Sequence, residues 1–409
     1  MKTVNITLTG MGNGGVAFGR DSQDGVVFVP YAIPGERVQA EVTENKGKHF
    51  QRGRILSILD ASPYRVEPRC PHYGTCGHSH FQHIKYGQQL VYKQSVVAEQ
   101  LQRIGGISQP VVRPTLANQD PWGYSLQLTL SATADGKLGL WSPELNEVMP
   151  IETCPIAQPA LLHLREDFDL DFPGLHQVTL RQGHDETLMV VLDLGDNEPP
   201  ELAVDFPLSV AVLSPDGTAA TLIGDPYLIQ VVKGQEFRVS ASSYFPSSLS
   251  AAALVIDTVL HYANLQGTEQ VLELYTGIGL LSRWLAAGCA TLIGVEQNPD
   301  AIADAAANLD ETNNVSLYEG AVEDVLPLLD QQPDLLVVNP PANGVNKEVL
   351  DWVRGRKPPR ILYVSSDVAT LSRDGRALVE AGYQLVEVQP IDMRPQTYHT
   401  ETVSLWQLA

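Results

Sequence analysis

Cysteine is scarce in this chain: only Cys70, Cys76, Cys154 and Cys289 occur in 409 residues. A secreted disulfide framework crowds its cysteines into a short chain, so that class is excluded. No apolar run reaches the roughly 18 residues needed to span a bilayer, and no membrane partner is expected. The opening MKTVNITLTGMGNGG has no apolar leader core, so neither a signal peptide nor an anchor is expected and the expected compartment is the cytoplasm. Basic residues are also few, 27 against 48 acids for a formal charge of −21. That balance opposes a broadly basic face of the kind that neutralises phosphates. Its distribution is uneven: residues 160–230 hold 13 acids and 2 bases, whereas residues 1–60 are close to balance. A surface for polyanions is therefore expected away from the acidic middle.

What is present reads as an α/β multidomain chain. Residues 1–60 carry short β-rich runs (VNITLTG, GVVFVP, ERVQAEV, RGRILSIL) between Gly, Pro and Asn turns, the spacing of a small five-stranded OB-like barrel. Its bases Arg20, Lys46, Lys48, Arg52 and Arg54 either track a phosphate backbone or are ordinary solvated strand edges. Residues 61–247 open with a knuckle, CPHYGTCGHSHFQHIKYGQQ, run into the helical segment GQQLVYKQSVVAEQLQRIG, and continue as alternating runs broken by ADG and PDG turns. A central antiparallel β-rich domain is expected there. Residues 248–409 begin with the helix SLSAAALVIDTVLHYA and then alternate buried strands with amphipathic helices, the pattern of a mostly parallel, Rossmann-like sheet.

The candidate site lies in that last region. QVLELYTGIGLLSRWLAAG reads as strand, glycine turn and helix, with Glu273 and Tyr275 on the approach and Gly277 and Gly279 letting a ligand come close to the backbone. The next strand, TLIGVEQN, ends at Glu296, a carboxylate placed to accept from the ribose hydroxyls of an adenosyl group. The third strand follows, placing Glu319, Glu323 or Asp324 near an adenine. Position 282 is Ser, so the turn is G-x-G and not G-x-G-x-x-G, which favours an adenosyl cofactor over a dinucleotide. The fourth strand ends in Asn339-Pro340-Pro341, either a loop presenting a side-chain amide to the site or a rigid strand-to-helix connection.

Taken in order, these segments resemble the bacterial RNA (uracil-5-)-methyltransferases that act on ribosomal or transfer RNA. The resemblance spans nearly the whole length: a TRAM-like barrel, the knuckle followed by Gln82-His83, a later Cys154-Pro155, and a methyltransferase domain. Two closing segments carry it most specifically. YVSSDVATLSRDGRAL is similar to the family's YVSCNPATLARD, and IDMRPQTYHTETVSL to its DMFPQTxHVE.

The resemblance implies S-adenosylmethionine as cofactor, RNA as partner, and a reaction in which a cysteine thiolate adds to C6 of uracil before C5 takes the methyl group and a glutamate removes the C5 proton. The glutamate position is Glu401, but the nucleophile position is Ser366, a far poorer nucleophile than a thiol. Ordinary C5 chemistry is therefore not expected. The Asp and Arg of the family's D-P-P-R loop are Asn339 and Ala342, its Asn-Pro after the nucleophile is Asp367-Val368, its F-F-Q is Tyr244-Phe245-Pro246, and its Y-R-N-K is Tyr124-Ser125-Leu126-Gln127. The family's four-cysteine iron–sulfur site retains Cys70, Cys76 and Cys154 but has Ser79 as its fourth position. Neither a cluster nor another metal is expected, although His78 or His80 would be the nearest substitute ligand. Three readings follow: an RNA methyltransferase acting on a different atom, a family member that has lost chemistry, or a module that binds RNA or protein only. None of these fixes the oligomeric state.

Overall fold

A computed structural model describes residues 2–45, 50–133, 137–166, 174–199 and 201–409. The expected barrel is closed by β1 (Lys2–Gly12), β2 (Val16–Arg20), β3 (Val26–Val29), β4 (Arg37–Asn45) and β5 (Gln51–Asp60) in the order β1-β2-β3-β5-β4. Strict alternation makes this possible: Val4, Ile6 and Leu8 point inward while Asn5 and Thr7 face out. The barrel core continues into the next segment through Phe81, Ile84 and Tyr92. Arg65 grips buried Glu36 with two hydrogen bonds of 2.6 and 2.7 Å, fixing the chain that leaves the barrel.

Helix α1 (Tyr86–Arg103) follows the knuckle. Its polar residues Gln89 and Lys93 are almost fully buried, and their partners lie some 300 positions later. Gln89 Nε2 donates to Gln396 Oε1 at 2.9 Å. Lys93 Nζ donates to Asp392 Oδ1 at 2.5 Å and to the carbonyls of Arg394 and His399 at 3.3 and 2.7 Å. All three ammonium protons are thus used, the condition under which a buried lysine is tolerated.

The central sheet has seven strands in the order β12-β11-β10-β9-β6-β7-β8. They are β6 (Gln127–Ala132), β7 (Leu138–Ser142), β8 (Glu147–Pro150), β9 (Gln177–Gln182), β10 (Leu188–Asp193), β11 (Ser209–Leu213) and β12 (Ala219–Ile223). The expected antiparallel character holds except between β10 and β11, which run parallel. Helix α2 (Pro159–Glu166) covers one face. A separate hairpin, β13 (Tyr227–Val232) and β14 (Gln235–Ser240), sends Val232, Phe237 and Val239 into the core of the last region.

That region is a seven-stranded sheet in the order β17-β16-β15-β18-β19-β21-β20. Strands β15 (Gln270–Leu274), β16 (Thr291–Glu296), β17 (Val315–Glu319), β18 (Leu335–Val338) and β19 (Arg360–Ser365) are parallel, and β21 (Glu401–Leu408) inserts antiparallel between β19 and β20 (Tyr383–Ile391). Helices α3 (Leu249–Ala263), α4 (Ser282–Ala286), α5 (Pro299–Asn308), α6 (Val322–Val325), α7 (Lys347–Arg356) and α8 (Val368–Glu380) cover it. Residues 111–116 lie along β20, bridging Val388 and Ile391, so that edge is paired. Because β15 is followed on one side by β16 and on the other by β18, the strand order reverses at β15, and a crevice opens above its carboxyl end.

Candidate functional site

The turn after β15 occupies that crevice. Tyr275, Gly277 and Gly279 have φ of 61°, 58° and 79°, left-handed conformations that a side chain such as Tyr275's adopts only when its surroundings enforce them. The two glycines serve different needs. A Cβ on Gly279 would lie 2.9 Å from Leu309 Cδ1, so this residue permits packing against α5 and does not line the cavity. A Cβ on Gly277 would meet nothing within 4 Å, and its backbone faces open space. The Gly277 amide donates to Glu296 Oε2 at 2.9 Å, while Gln297 and Asn298 amides donate to Oε1 at 2.8 Å each. These bonds fill about three of a carboxylate's roughly four acceptor positions and aim the remaining one at the cavity.

The cavity measures about 450 Å³. It brings together Tyr275, Gly277, Glu296, Asn339, Ser366 and Glu401, which the sequence placed on five different segments. Glu273 is not among its lining residues: it is fully buried beneath the turn, where Ser282 Oγ donates to its Oε2 at 2.6 Å and its Oε1 has no partner. Burial, with a small push from Glu296, raises the Glu273 carboxyl to about 7. Glu319, Glu323 and Asp324 do not line the cavity either; Glu319 is exposed at the end of β17, and Glu323 and Asp324 lie in α6.

On the opposite wall Asn339 follows β18, its amide donating to the Leu274 carbonyl at 3.2 Å while its side chain has no protein partner among the described residues. Ser366 follows β19 just before Asp367, whose carboxylate caps α8 by accepting from the Thr370 amide at 2.7 Å. No described residue hydrogen-bonds the Ser366 hydroxyl. Glu401 opens β21, and burial raises its carboxyl to about 7 against the opposing pull of Arg394. A carboxyl poised near neutrality can accept or return a proton, which an ordinary surface glutamate does poorly.

Residues 1–56 match the TRAM domain. Over 93% of its length the chain is 32% identical to a protein of Halalkalibacterium halodurans named an uncharacterized RNA methyltransferase, of which the match covers 92%. A second protein so named, from Nostoc sp., is 31% identical over 98% of this chain and 95% of its own. The chain belongs to this RNA methyltransferase family. The crystal structure of Pyrococcus abyssi tRNA (uracil-54, C5)-methyltransferase in complex with S-adenosyl-L-homocysteine has the same fold, with a TM-score of 0.73 at 21% identity, covering 98% of this chain and all of that one.

Within this RNA methyltransferase family member the knuckle lacks the fourth thiolate of a cluster. Cys70, Cys76 and Cys154 are buried free thiols, and burial raises those of Cys70 and Cys154. The Ser79 hydroxyl accepts from Gln82 Nε2 at 2.7 Å, and Gln82 Oε1 accepts from the Cys70 amide at 3.0 Å, so the fourth position is committed to a hydrogen-bond network. Among the described residues no group of three or more His, Cys, Asp or Glu converges as metal ligands, and the residues do not fit a four-thiolate cluster. The barrel bases are largely compensated: Arg20 pairs with Asp24 at 3.1 Å, Arg52 with Glu44 at 3.6 Å and Arg54 with Glu41 at 2.8 Å. Lys46 and Lys48 lie outside the described residues. No described helix is long and apolar enough to cross a membrane.

Sequence reasoning passed over Arg394 as a site residue, although it was in view inside IDMRPQT at the position where the similar family motif carries Phe. It lines the cavity beside Met393, within hydrogen-bonding reach of the Tyr244 side chain. Its guanidinium makes no ion pair among the described residues.

Proposed function

We propose that the chain is an S-adenosylmethionine-dependent RNA methyltransferase that methylates an exocyclic amine or ring nitrogen and not C5 of uracil. The observation that carries this reading is the cavity uniting the Gly277–Glu296 turn with an unpartnered Asn339 side chain, a Glu401 carboxyl raised to about 7 and Ser366 in place of a thiol. The cofactor, when bound, supplies an electrophilic methyl group on a sulfonium. Gly277 leaves room for it at the backbone, and Glu296 offers its free acceptor position to a ribose hydroxyl. With an exocyclic amine the Asn339 side-chain carbonyl accepts one N–H of the target nitrogen, and with a ring nitrogen the side chain holds a neighbouring group of the base, in either case a contribution of positioning that needs no covalent adduct. Glu401 takes the proton that the methylated nitrogen releases. This reading assigns the protein to the cytoplasm, in keeping with an RNA substrate.

Two measurements test this. Calorimetric titration with S-adenosylmethionine should show binding that Glu296→Ala weakens at least about tenfold, the loss of one charge-assisted hydrogen bond and of the turn it holds. Incubating the protein with total RNA and methyl-labelled cofactor, then digesting to nucleosides for mass spectrometry, should yield an N-methylated nucleoside that disappears in Asn339→Ala and persists in Ser366→Ala. Labelled 5-methyluridine, or full activity in Asn339→Ala, refutes the proposal.

A further inference from the structure

A second cavity of about 550 Å³ adjoins the first, and Tyr244 and Arg394 line both. It lies among the knuckle, the first strand of the central sheet and the 397–399 segment. In a chain with 48 acids its lining contains no aspartate or glutamate. One wall is a run of rings: His80 and Tyr398 have centroids 4.5 Å apart, and Tyr398 and His399 4.3 Å apart with planes inclined by 30°. Two polar atoms of this wall region, His80 Nδ1 and Ser247 Oγ, are buried without a hydrogen-bond partner among the described residues.

We propose that the second cavity takes the nucleotide adjacent to the target, its base against the His80–Tyr398–His399 ring run and the connecting phosphate on Arg394. Three independent features converge on this occupant. A surface of rings suits any base, since every base has a π face. The guanidinium, without an ion-pair partner, sits where the two cavities meet, which is where the phosphate joining two nucleotides must fall if each cavity holds one. Absence of acids removes the repulsion that the rest of this surface would impose on a polyanion. This inference rests on the reading that the substrate is RNA, and it assigns phosphate recognition beside the site to one arginine and base recognition to one ring run.

The test is fluorescence anisotropy with a fluorescein-labelled single-stranded RNA octamer of mixed sequence, in the presence of S-adenosylhomocysteine and at several salt concentrations. Arg394→Gln should weaken binding about tenfold and reduce the slope of log affinity against log salt by about 0.7, the amount by which one neutralised phosphate steepens it on a single strand. Arg394→Lys should restore the slope. His399→Ala should weaken binding about tenfold with the slope unchanged, and His399→Phe, which keeps a ring, should bind like the parent. An Arg394→Gln variant with unchanged slope, a His399→Ala variant with unchanged affinity, or a parent protein that does not bind the octamer overturns the proposal. Cofactor titration on the same samples separates the two claims: cofactor binding without these RNA effects leaves the methyltransferase reading standing and removes this one, and the reverse pattern removes the cofactor reading alone.

Discussion

Replacing Lys93 by Met should destabilise the protein by about 3–5 kcal/mol, the range for removing one partner of a buried ion pair and leaving the other uncompensated. The structure sets this magnitude at the top of what a single polar substitution does. Asp392 is fully buried, its Oδ1 would lose the 2.5 Å ammonium hydrogen bond, and its Oδ2 has no partner already. The carbonyls of Arg394 and His399 would lose donors as well. The double variant Lys93→Met with Asp392→Leu should recover a large part of the loss, because two apolar side chains remove the stranded charge together with the cost of burying it. Urea denaturation followed by tryptophan fluorescence measures both. A single variant that loses less than about 1 kcal/mol, or a double variant no more stable than the single, would show that the pair does not bear on stability in the way the burial and distances require.

Three further outcomes are expected. Glu273 is raised to about 7 in the fold, so the native state holds its proton through a window, from about 4.5 to 7, in which the unfolded chain has released it; stability from this group is present at acid pH and falls as pH rises through 7. The melting temperature of Glu273→Gln minus that of the parent should therefore grow from pH 5 to pH 7.5, and a difference that does not change with pH counts against the assignment. Gly279→Ala should cost about 1–2 kcal/mol for its left-handed backbone, plus whatever displacement of Leu309 requires, visible as a lowered denaturation midpoint. Ser366→Cys combined with Asn339→Asp should form no 5-methyluridine in RNA by nucleoside mass spectrometry, because Ala342 in the cavity wall and Asp367-Val368 just after Ser366 are further departures from the similar family's motifs.

The parts of the fold that local patterning dictates were legible. Alternation exposed the barrel strands, and the buried apolar runs with glycine turns exposed β15, β16 and β18, since a left-handed turn demands glycine at Gly277. Asn339, Ser366 and Glu401, from the loop and the closing segments, line one cavity. What no local pattern contains is the destination of a buried polar side chain. Lys93 and Gln89 look in sequence like the polar face of a surface helix, and only partners 299 and 307 positions away make them interior. Glu273 misled for a related reason: acids near a glycine turn suggest a ligand, but this one faces Ser282. Arg394 was missed because a lone cation between apolar neighbours carries no periodic signal, and its meaning comes from the two cavities it separates.

The bonds between helix α1 and the 392–399 segment also set a timetable for synthesis. At about 5–20 residues per second, a ribosome that has finished Lys93 needs roughly 15–60 s to reach Asp392, 299 residues on. Throughout that interval the barrel can close, but the helix beside it carries an amine and an amide whose interior partners do not yet exist. The nascent chain must keep α1 solvated or guarded, and the whole protein can lock only when its final strands arrive. A ribosome that stalls short of the codon for Asp392 would therefore release a protein whose beginning, and not merely its end, is unfinished.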